Sequence, residues 1–147
     1  MNLSERLNDD MKQAMKNQEK FKLTTIRMIR SSIKNLEIDL KRPLDDNEVL
    51  DILSREIKQR KDSLQEFKKA GRDDLAKDIA AEIEIISVYL PDQLTEEEIK
   101  VIVQQTLQET GASSKAEMGK VMAALMPKVK GRADGKLVNT LVQQFLQ

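Results

Sequence analysis

Apolar residues recur every three or four positions along most of this chain, and this period constrains the fold more than any other feature of the sequence. Such spacing places apolar side chains on one face of an α-helix, whereas a half-buried strand would alternate. Seven segments show the helical period, and no segment alternates. Aromatic residues make up only 3% of the chain, so aliphatic residues and methionine must supply most of the core. The sequence therefore predicts an all-α, multihelical protein.

The helical segments fall into two groups, separated where "YLPDQLTEEEI" interrupts the pattern at Pro91. About four helices precede the interruption and three shorter ones follow it. We therefore expect an N-terminal helical subdomain at residues 1–90 and a C-terminal three-helix subdomain at residues 91–147. A unit of about 50 residues is near the lower limit for independent stability. We therefore expect the second group to be stabilised by contact with the first group or with a partner.

Three helix starts carry the pattern of a capping box, in which serine, threonine or aspartate is followed three residues later by glutamate. The pairs are Asp45 with Glu48, Thr95 with Glu98, and Ser114 with Glu117. Lysines followed by Gly71 indicate the end of the third helix. The turn "GRDD" then predicts an antiparallel hairpin of the third and fourth helices.

The chain contains neither cysteine nor histidine, and its formal net charge is zero. It therefore lacks thiol chemistry, the usual nitrogen and sulfur ligands of zinc, and an imidazole for acid–base catalysis. No apolar run approaches the roughly 20 residues that span a bilayer, and the polar N-terminus does not resemble a signal peptide. We expect a cytoplasmic protein with no membrane segment, cofactor, metal site or catalytic residue.

The stretch "PKVKGRADGKLV" (127–138) combines two glycines with four basic residues. It is not a phosphate-binding P-loop, because Gly131 and Gly135 have three residues between them instead of four, Lys136 is followed by leucine, and no strand precedes it. The stretch instead predicts a break between two helices, because Pro127 and Gly131 weaken the sixth helix and Asp134 caps the seventh.

Basic residues are concentrated in several places along the chain. Between Gly111 and the C-terminus, six basic residues accompany only two acidic ones. Two further clusters are "IRMIRSSIK", with Arg27, Arg30 and Lys34 on one face, and "SREIKQRK", with Arg55, Lys58 and either Lys61 or Arg60 on polar sides of a helix. Such a surplus could contact a phosphate backbone or be an ordinary solvated face. No aromatic residue is interleaved, so contact with phosphates is favoured over stacking on bases.

The segment "MGKVMAALMPKVKGRADGKLVNTLVQQFL" (118–146) resembles the signature of the GatB/YqeY family. The segments "IRMIRSSIKNLEID", "LSREIKQRKDSLQEFKKAGRDDL" and "EIEIISVYLPDQLTEEEI" resemble its stand-alone YqeY-like members, so the likeness covers essentially the whole chain. It implies an all-helical, two-part fold. It also implies kinship with the tail of the B subunit of the glutamine-dependent Asp/Glu-tRNA amidotransferase, which helps to hold tRNA. The positions that match that tail are Gly119, Val121, Met122, Lys130, Gly131, Ala133, Val138 and Asn139.

The kinase and glutaminase sites of that amidotransferase lie in other domains or subunits. The resemblance therefore implies a non-catalytic, tRNA-binding type of module, at most accessory to a carbon–nitrogen ligase that uses glutamine as amido-N-donor. We expect phosphate contacts from five side chains, and close backbone approach at a glycine. These residues are Lys120, Lys128, Lys130, Arg132, Lys136 and Gly131. The alternative is a protein-interaction adaptor that docks on an aminoacyl-tRNA synthetase or an amidotransferase subunit.

Overall fold

The computed structural model of the chain describes residues 1–146, and these residues form seven α-helices and no strand. The all-α fold predicted from the apolar period is confirmed. The helices are α1 (Leu3–Lys16), α2 (Lys20–Leu40), α3 (Asp46–Lys69), α4 (Asp73–Ser87), α5 (Glu96–Thr110), α6 (Met118–Val129) and α7 (Gly135–Phe145), with a short 3-10 helix (Lys115–Glu117) before α6. Two compact units result, an N-terminal unit at Met1–Leu90 and a C-terminal unit from Pro91 onward.

The N-terminal unit is built from two helical pairs, α1 with α2 and α3 with α4, and α2 contacts both α3 and α4. The short connection between α3 and α4 makes them the predicted hairpin. Apolar residues of all four helices and of the segments that follow α2 and α4, nearly all of them aliphatic, fill the core. They are Leu7, Ile26, Ile29, Ile33, Leu44, Val49, Ile52, Leu53, Ile57, Ile86 and Tyr89. On α1, Ala14 is buried while Met15 is 48% exposed, so the apolar stripe drifts by one residue at the end of that helix.

Tyr89, which follows α4, is tied to α1 by its side chain. Its hydroxyl donates a hydrogen bond to Asp10, and the Arg6 guanidinium lies 5.0 Å from its ring centroid. Burial, followed by the hydrogen bond to the Asp10 carboxylate, raises the pKa of Tyr89 well above its ordinary value. The phenol therefore stays protonated, and its hydrogen bond continues to join the segment after α4 to α1.

The C-terminal unit has a separate aliphatic core to which α5, α6 and α7 all contribute. Its buried members are Ile99, Val103, Val121, Leu125, Val129, Val138, Leu141, Val142 and Leu146. A search of the described residues finds no helix with the length and apolarity that a membrane crossing requires.

The capping boxes predicted for α3 and α5 are both present. Asp45 accepts a hydrogen bond from the Glu48 backbone N–H at 2.8 Å, and Thr95 accepts one from Glu98 at 3.2 Å. In each pair the glutamate carboxylate accepts the reciprocal bond from the capping residue's backbone. The backbone hydrogen bond from Thr95, followed by the one from its side chain, lowers the pKa of Glu98.

The third predicted box begins the 3-10 helix, not α6 itself. Its Glu117 carboxylate accepts hydrogen bonds from the backbone N–H groups of Ser113 at 2.7 Å and Ser114 at 3.4 Å. These two bonds lower the pKa of Glu117. One extra turn is therefore inserted between the box and the first residue of α6.

Candidate nucleic-acid-binding surface

The predicted site centres on the segment Lys130–Asp134, which joins α6 to α7 and is called the α6–α7 loop below. Gly131 adopts a left-handed backbone with φ of +73°, a conformation that residues with a Cβ disfavour. Asp134 is the N-cap of α7, as predicted, and its carboxylate accepts a hydrogen bond from the Lys136 backbone N–H at 3.1 Å. The loop geometry thus follows from one glycine and one aspartate.

The predicted helix break is placed differently in the structure. Pro127 lies inside α6, and the helix continues for two more residues to Val129. Proline removes one helical hydrogen bond, but Val129 is almost completely buried in the core of the C-terminal unit. Packing of this side chain therefore holds the last turn together, and the chain leaves the helix only at Lys130.

The α6–α7 loop is fastened to the segment Pro91–Leu94. The Leu94 backbone N–H donates to the Arg132 carbonyl at 2.8 Å, and the Gln93 amide donates to the Gly131 carbonyl at 2.8 Å. In return, the Arg132 Nε donates to the Asp92 carbonyl at 3.2 Å. The Gly131 and Arg132 carbonyls of the loop are thereby satisfied within the unit.

Lys128 is held at the side of α5. Its ammonium donates to the Glu109 carboxylate at 2.7 Å and to the Thr106 hydroxyl at 3.0 Å. Thr106 is fully buried, and its own hydroxyl donates to the Ile102 carbonyl. The positive charge of Lys128 is therefore already paired, and this side chain joins α6 to α5.

The remaining predicted lysines are exposed but do not form one cluster. Lys130 is the first residue of the α6–α7 loop, and Lys136 lies just beyond the loop, in the first turn of α7. Lys120 lies ten residues before Lys130, which is about 15 Å along the helix axis. Within the described residues, the Lys120 and Lys136 side chains form no salt bridge or hydrogen bond.

Acidic residues of α5 and its N-terminal approach offset the local basic surplus. From Pro91 to the C-terminus the sequence has seven basic and seven acidic residues, so the C-terminal unit is formally neutral. Arg132 illustrates this balance, because its charge contributes to the lowered pKa of Glu98 after the two hydrogen bonds from Thr95. The exposed positive charge around the loop is therefore limited to a few side chains.

Sequence patterns missed the residues that hold the loop. Gln93 was part of a predicted boundary, and nothing marked Thr106 and Glu109 as partners of a lysine 22 and 19 residues away. Among the residues that the structure describes, no group of three or more carboxylates has the arrangement of a metal site.

Comparison with known proteins identifies the family. The family model described as "Yqey-like protein" matches residues 4–146. This chain belongs to the YqeY-like family. The resemblance noted in the sequence is thereby confirmed over nearly the whole chain.

Eight curated relatives are fungal proteins that share one name, "Altered inheritance of mitochondria protein 41, mitochondrial". The protein of Pyrenophora tritici-repentis is 32% identical over 144 residues, covering 96% of this chain and 79% of the relative. That of Saccharomyces cerevisiae (strain YJM789) is 33% identical over 150 residues, covering 95% and 80%. The protein of Lachancea thermotolerans is 46% identical over 85 residues, covering 57% of this chain and only 46% of the relative.

These names correct the expected location. The curated relatives are named as mitochondrial proteins, which contradicts the cytoplasmic location expected from the sequence. The expectation was wrong because it rested on the lack of a signal peptide and of a membrane-spanning run. Those two features concern secretion and membrane insertion, and they do not distinguish one aqueous compartment from another.

Proposed function

We propose that this YqeY-like chain is a non-catalytic RNA-binding module whose ligand is tRNA. The observation that carries the proposal is the ordered α6–α7 loop, with an exposed lysine at its start, Lys130, and another just beyond its end, Lys136. Three hydrogen bonds fasten the loop to Pro91–Leu94, so little conformational entropy remains to be lost on binding. The resemblance to the amidotransferase tail supports the choice of tRNA.

Under this proposal the expected site residues have two roles. Lys120, Lys130 and Lys136 are exposed and contact phosphates. Lys128 and Arg132 are positioning residues, because each already bonds to a group on or just before α5. Gly131 is needed for the left-handed turn that presents the lysines.

A salt series of tRNA binding tests the proposal. The double variant Lys130→Gln with Lys136→Gln removes two phosphate contacts and should lower the slope of log affinity against log salt by about 2. At low salt its affinity should fall by about tenfold or more. The matched control is Lys68→Gln with Lys77→Gln, two exposed lysines of α3 and α4, and it should retain the original slope. Absence of tRNA binding by the unmodified protein at low salt would refute the proposal.

A second candidate function is a protein-interaction adaptor, for a synthetase or an amidotransferase subunit. It is favoured by three exposed apolar side chains of the C-terminal unit, Val101, Met126 and Phe145. Apolar contacts strengthen with salt whereas phosphate contacts weaken. A partner protein that stays bound through high salt and nuclease treatment would favour the adaptor over the RNA-binding module.

A further inference from the structure

A large charge imbalance lies in residues 11–36, which run from the second half of α1 through most of α2, outside the predicted site. Between residues 11 and 36 there are seven basic residues and one acidic residue, Glu19. The basic residues are Lys12, Lys16, Lys20, Lys22, Arg27, Arg30 and Lys34. Residues 1–90 as a whole contain 18 basic and 18 acidic residues, so the N-terminal unit is formally neutral but strongly polarised.

Three of these cations form a straight line on α2. Lys20, Arg27 and Lys34 follow each other at intervals of seven residues, which is close to two helical turns or about 10 Å of axis. Thr24 and Ser31 occupy the intervening positions four residues after the first two cations, on the same face. All five side chains are exposed, and they are called the α2 row below.

The α2 row lies opposite the packed face of the helix. The buried residues of α2 are Thr25, Ile26, Ile29 and Ile33, which fall on the other side of the helical wheel from the row. Substitutions in the row therefore leave the core of the N-terminal unit intact.

The charges of the α2 row are unpaired in the part of the chain that the structure describes. Across the described residues, neither Lys20, Arg27 nor Lys34 forms a salt bridge. Lys128 in the α6–α7 region, by contrast, pairs with Glu109 at 2.7 Å. The row therefore presents three cations that have no ion-pair partner among the described residues.

We infer that the α2 row is a second RNA-contacting surface, which binds consecutive phosphates of the same tRNA. This inference rests on the proposed function and adds to it a site in the N-terminal unit. Lysine, arginine, threonine and serine are the side chains that contact phosphate oxygens in nucleic-acid complexes. A line of cations about 20 Å long is complementary to a linear polyanion, and the acidic remainder of the unit orients the approach.

The composition of the α2 row favours RNA over an anionic membrane. A helix that lies on a membrane buries a face of large apolar side chains and keeps its basic residues on the opposite, polar face. Within the row the intervening side chains are hydroxyls, and the apolar face of α2 on the opposite side is packed into the core. Exposed apolar side chains are limited, near the row, to Phe21 and Met28 beside it and Ile38 beyond its last cation. Membrane binding is the competing outcome that the experiment must separate.

The test compares two triple variants of the full chain. The row variant carries Lys20→Gln, Arg27→Gln and Lys34→Gln, and the control carries Lys58→Gln, Lys61→Gln and Lys68→Gln at exposed positions of α3. Both lose three positive charges, and glutamine keeps the helix propensity. For tRNA binding, the row variant should lower the salt slope by about 3, and the control should leave it unchanged. Helical content by circular dichroism should be the same for both.

Lysine acetylation read by mass spectrometry locates the contact directly. Lys20 and Lys34 should be protected when tRNA is bound, and Lys58 should react equally in both states. Protection that spares Lys20 and Lys34 would overturn the inference.

The outcomes separate the two surfaces. Loss of affinity in the row variant supports the inference, whether or not the variant at Lys130 and Lys136 also loses affinity. An unchanged row variant beside a weakened Lys130 and Lys136 variant overturns the inference and leaves the proposed function standing. Absence of tRNA binding by the unmodified protein overturns both. Binding to phosphatidylserine vesicles that depends on the row, with tRNA binding that does not, overturns the inference in favour of a membrane.

Discussion

Arg60 occupies a core-facing position of α3, between Ile57 and Leu64 in the apolar stripe, and its side chain is only 8% exposed. From the sequence, either Lys61 or Arg60 was expected on a polar side of the helix, whereas in the structure the Arg60 side chain is buried. Its Nη1 bonds to the Glu56 carboxylate at 2.6 Å, and its Nε lies 3.9 Å from Glu82 on α4 without a hydrogen-bond partner among the described residues. Ser32 of α2 donates to the same Glu56 at 3.0 Å.

Replacing Arg60 should destabilise the protein strongly. Arg60→Ala leaves two partly buried carboxylates without their cation, and removing one partner of such a pair costs about 3 kcal/mol or more. The control Lys61→Ala changes an exposed neighbour and should cost less than about 0.5 kcal/mol. Urea unfolding measures both. Equal midpoints for the two variants would show that Glu56 and Glu82 do not depend on Arg60.

The candidate site was predicted only in part, and its individual residues show why. The sequence revealed which residues carry charge, and it placed Lys130 and Lys136 correctly on either side of a turn. It did not reveal pairing, because Arg132 bonds to a carbonyl 40 residues away and Lys128 to a carboxylate 19 residues away. Such partners are set by helix packing, which the local pattern does not specify.

At the scale of elements, helix starts were more predictable than helix ends. A capping box is a local contact of four residues, so Asp45 and Thr95 marked the N-caps of α3 and α5 correctly. The end of α6 was harder to predict, because burial of Val129 outweighs the local cost of Pro127. Local chemistry therefore determines where these helices begin, and tertiary packing decides how far one of them continues.

The capping box of α3 should make stability depend on pH. Two hydrogen bonds of 2.8 Å from Arg42, and one from the Asp45 backbone, lower the pKa of Glu48 from 4.5 to about 2. Because the folded pKa lies below the unfolded one, ionised Glu48 stabilises the fold above pH 4.5. That contribution should be lost as pH falls from about 4.5 to about 2.

Thermal melting across this pH range checks the capping prediction. Glu48→Gln should flatten the fall of Tm in acid, and Arg42→Gln should flatten it partly by removing the main donor. The double variant should resemble Glu48→Gln, since both changes act on the same carboxylate. Some dependence of Tm on pH should remain in these variants, because Glu98 and Glu117 also have lowered pKa values. A single Glu48→Gln variant with the original slope would contradict the prediction.

At the scale of the whole molecule, a net charge of zero conceals an uneven distribution. Each unit is formally neutral, yet residues 11–36 and the last 37 residues both carry basic surpluses. Composition alone thus argued against a global attraction to nucleic acid, while the described helices put an unpaired row of cations on α2. The charges were visible in the sequence, but their exposure and lack of partners required the fold.

The boundary between the units gives a last prediction, because Pro91–Leu94 makes its hydrogen bonds to the α6–α7 loop. A fragment that begins at Pro91 retains the bonds of Asp92, Gln93 and Leu94 to the loop, and a fragment that begins at Thr95 loses them. At about 1 kcal/mol for each hydrogen bond, the shorter fragment should be less stable by about 2 to 3 kcal/mol.

Paired fragments of the N-terminal unit supply the control for this boundary. Fragments 1–90 and 1–94 should unfold at the same urea concentration, because the four added residues have their partners in the other unit. If 1–94 is the more stable of the two, or if the fragment from Thr95 matches the one from Pro91, then Pro91–Leu94 does not belong energetically to the C-terminal unit. The loss of these residues should also loosen the α6–α7 loop, so faster amide exchange at Gly131 and Arg132 is expected in the shorter fragment.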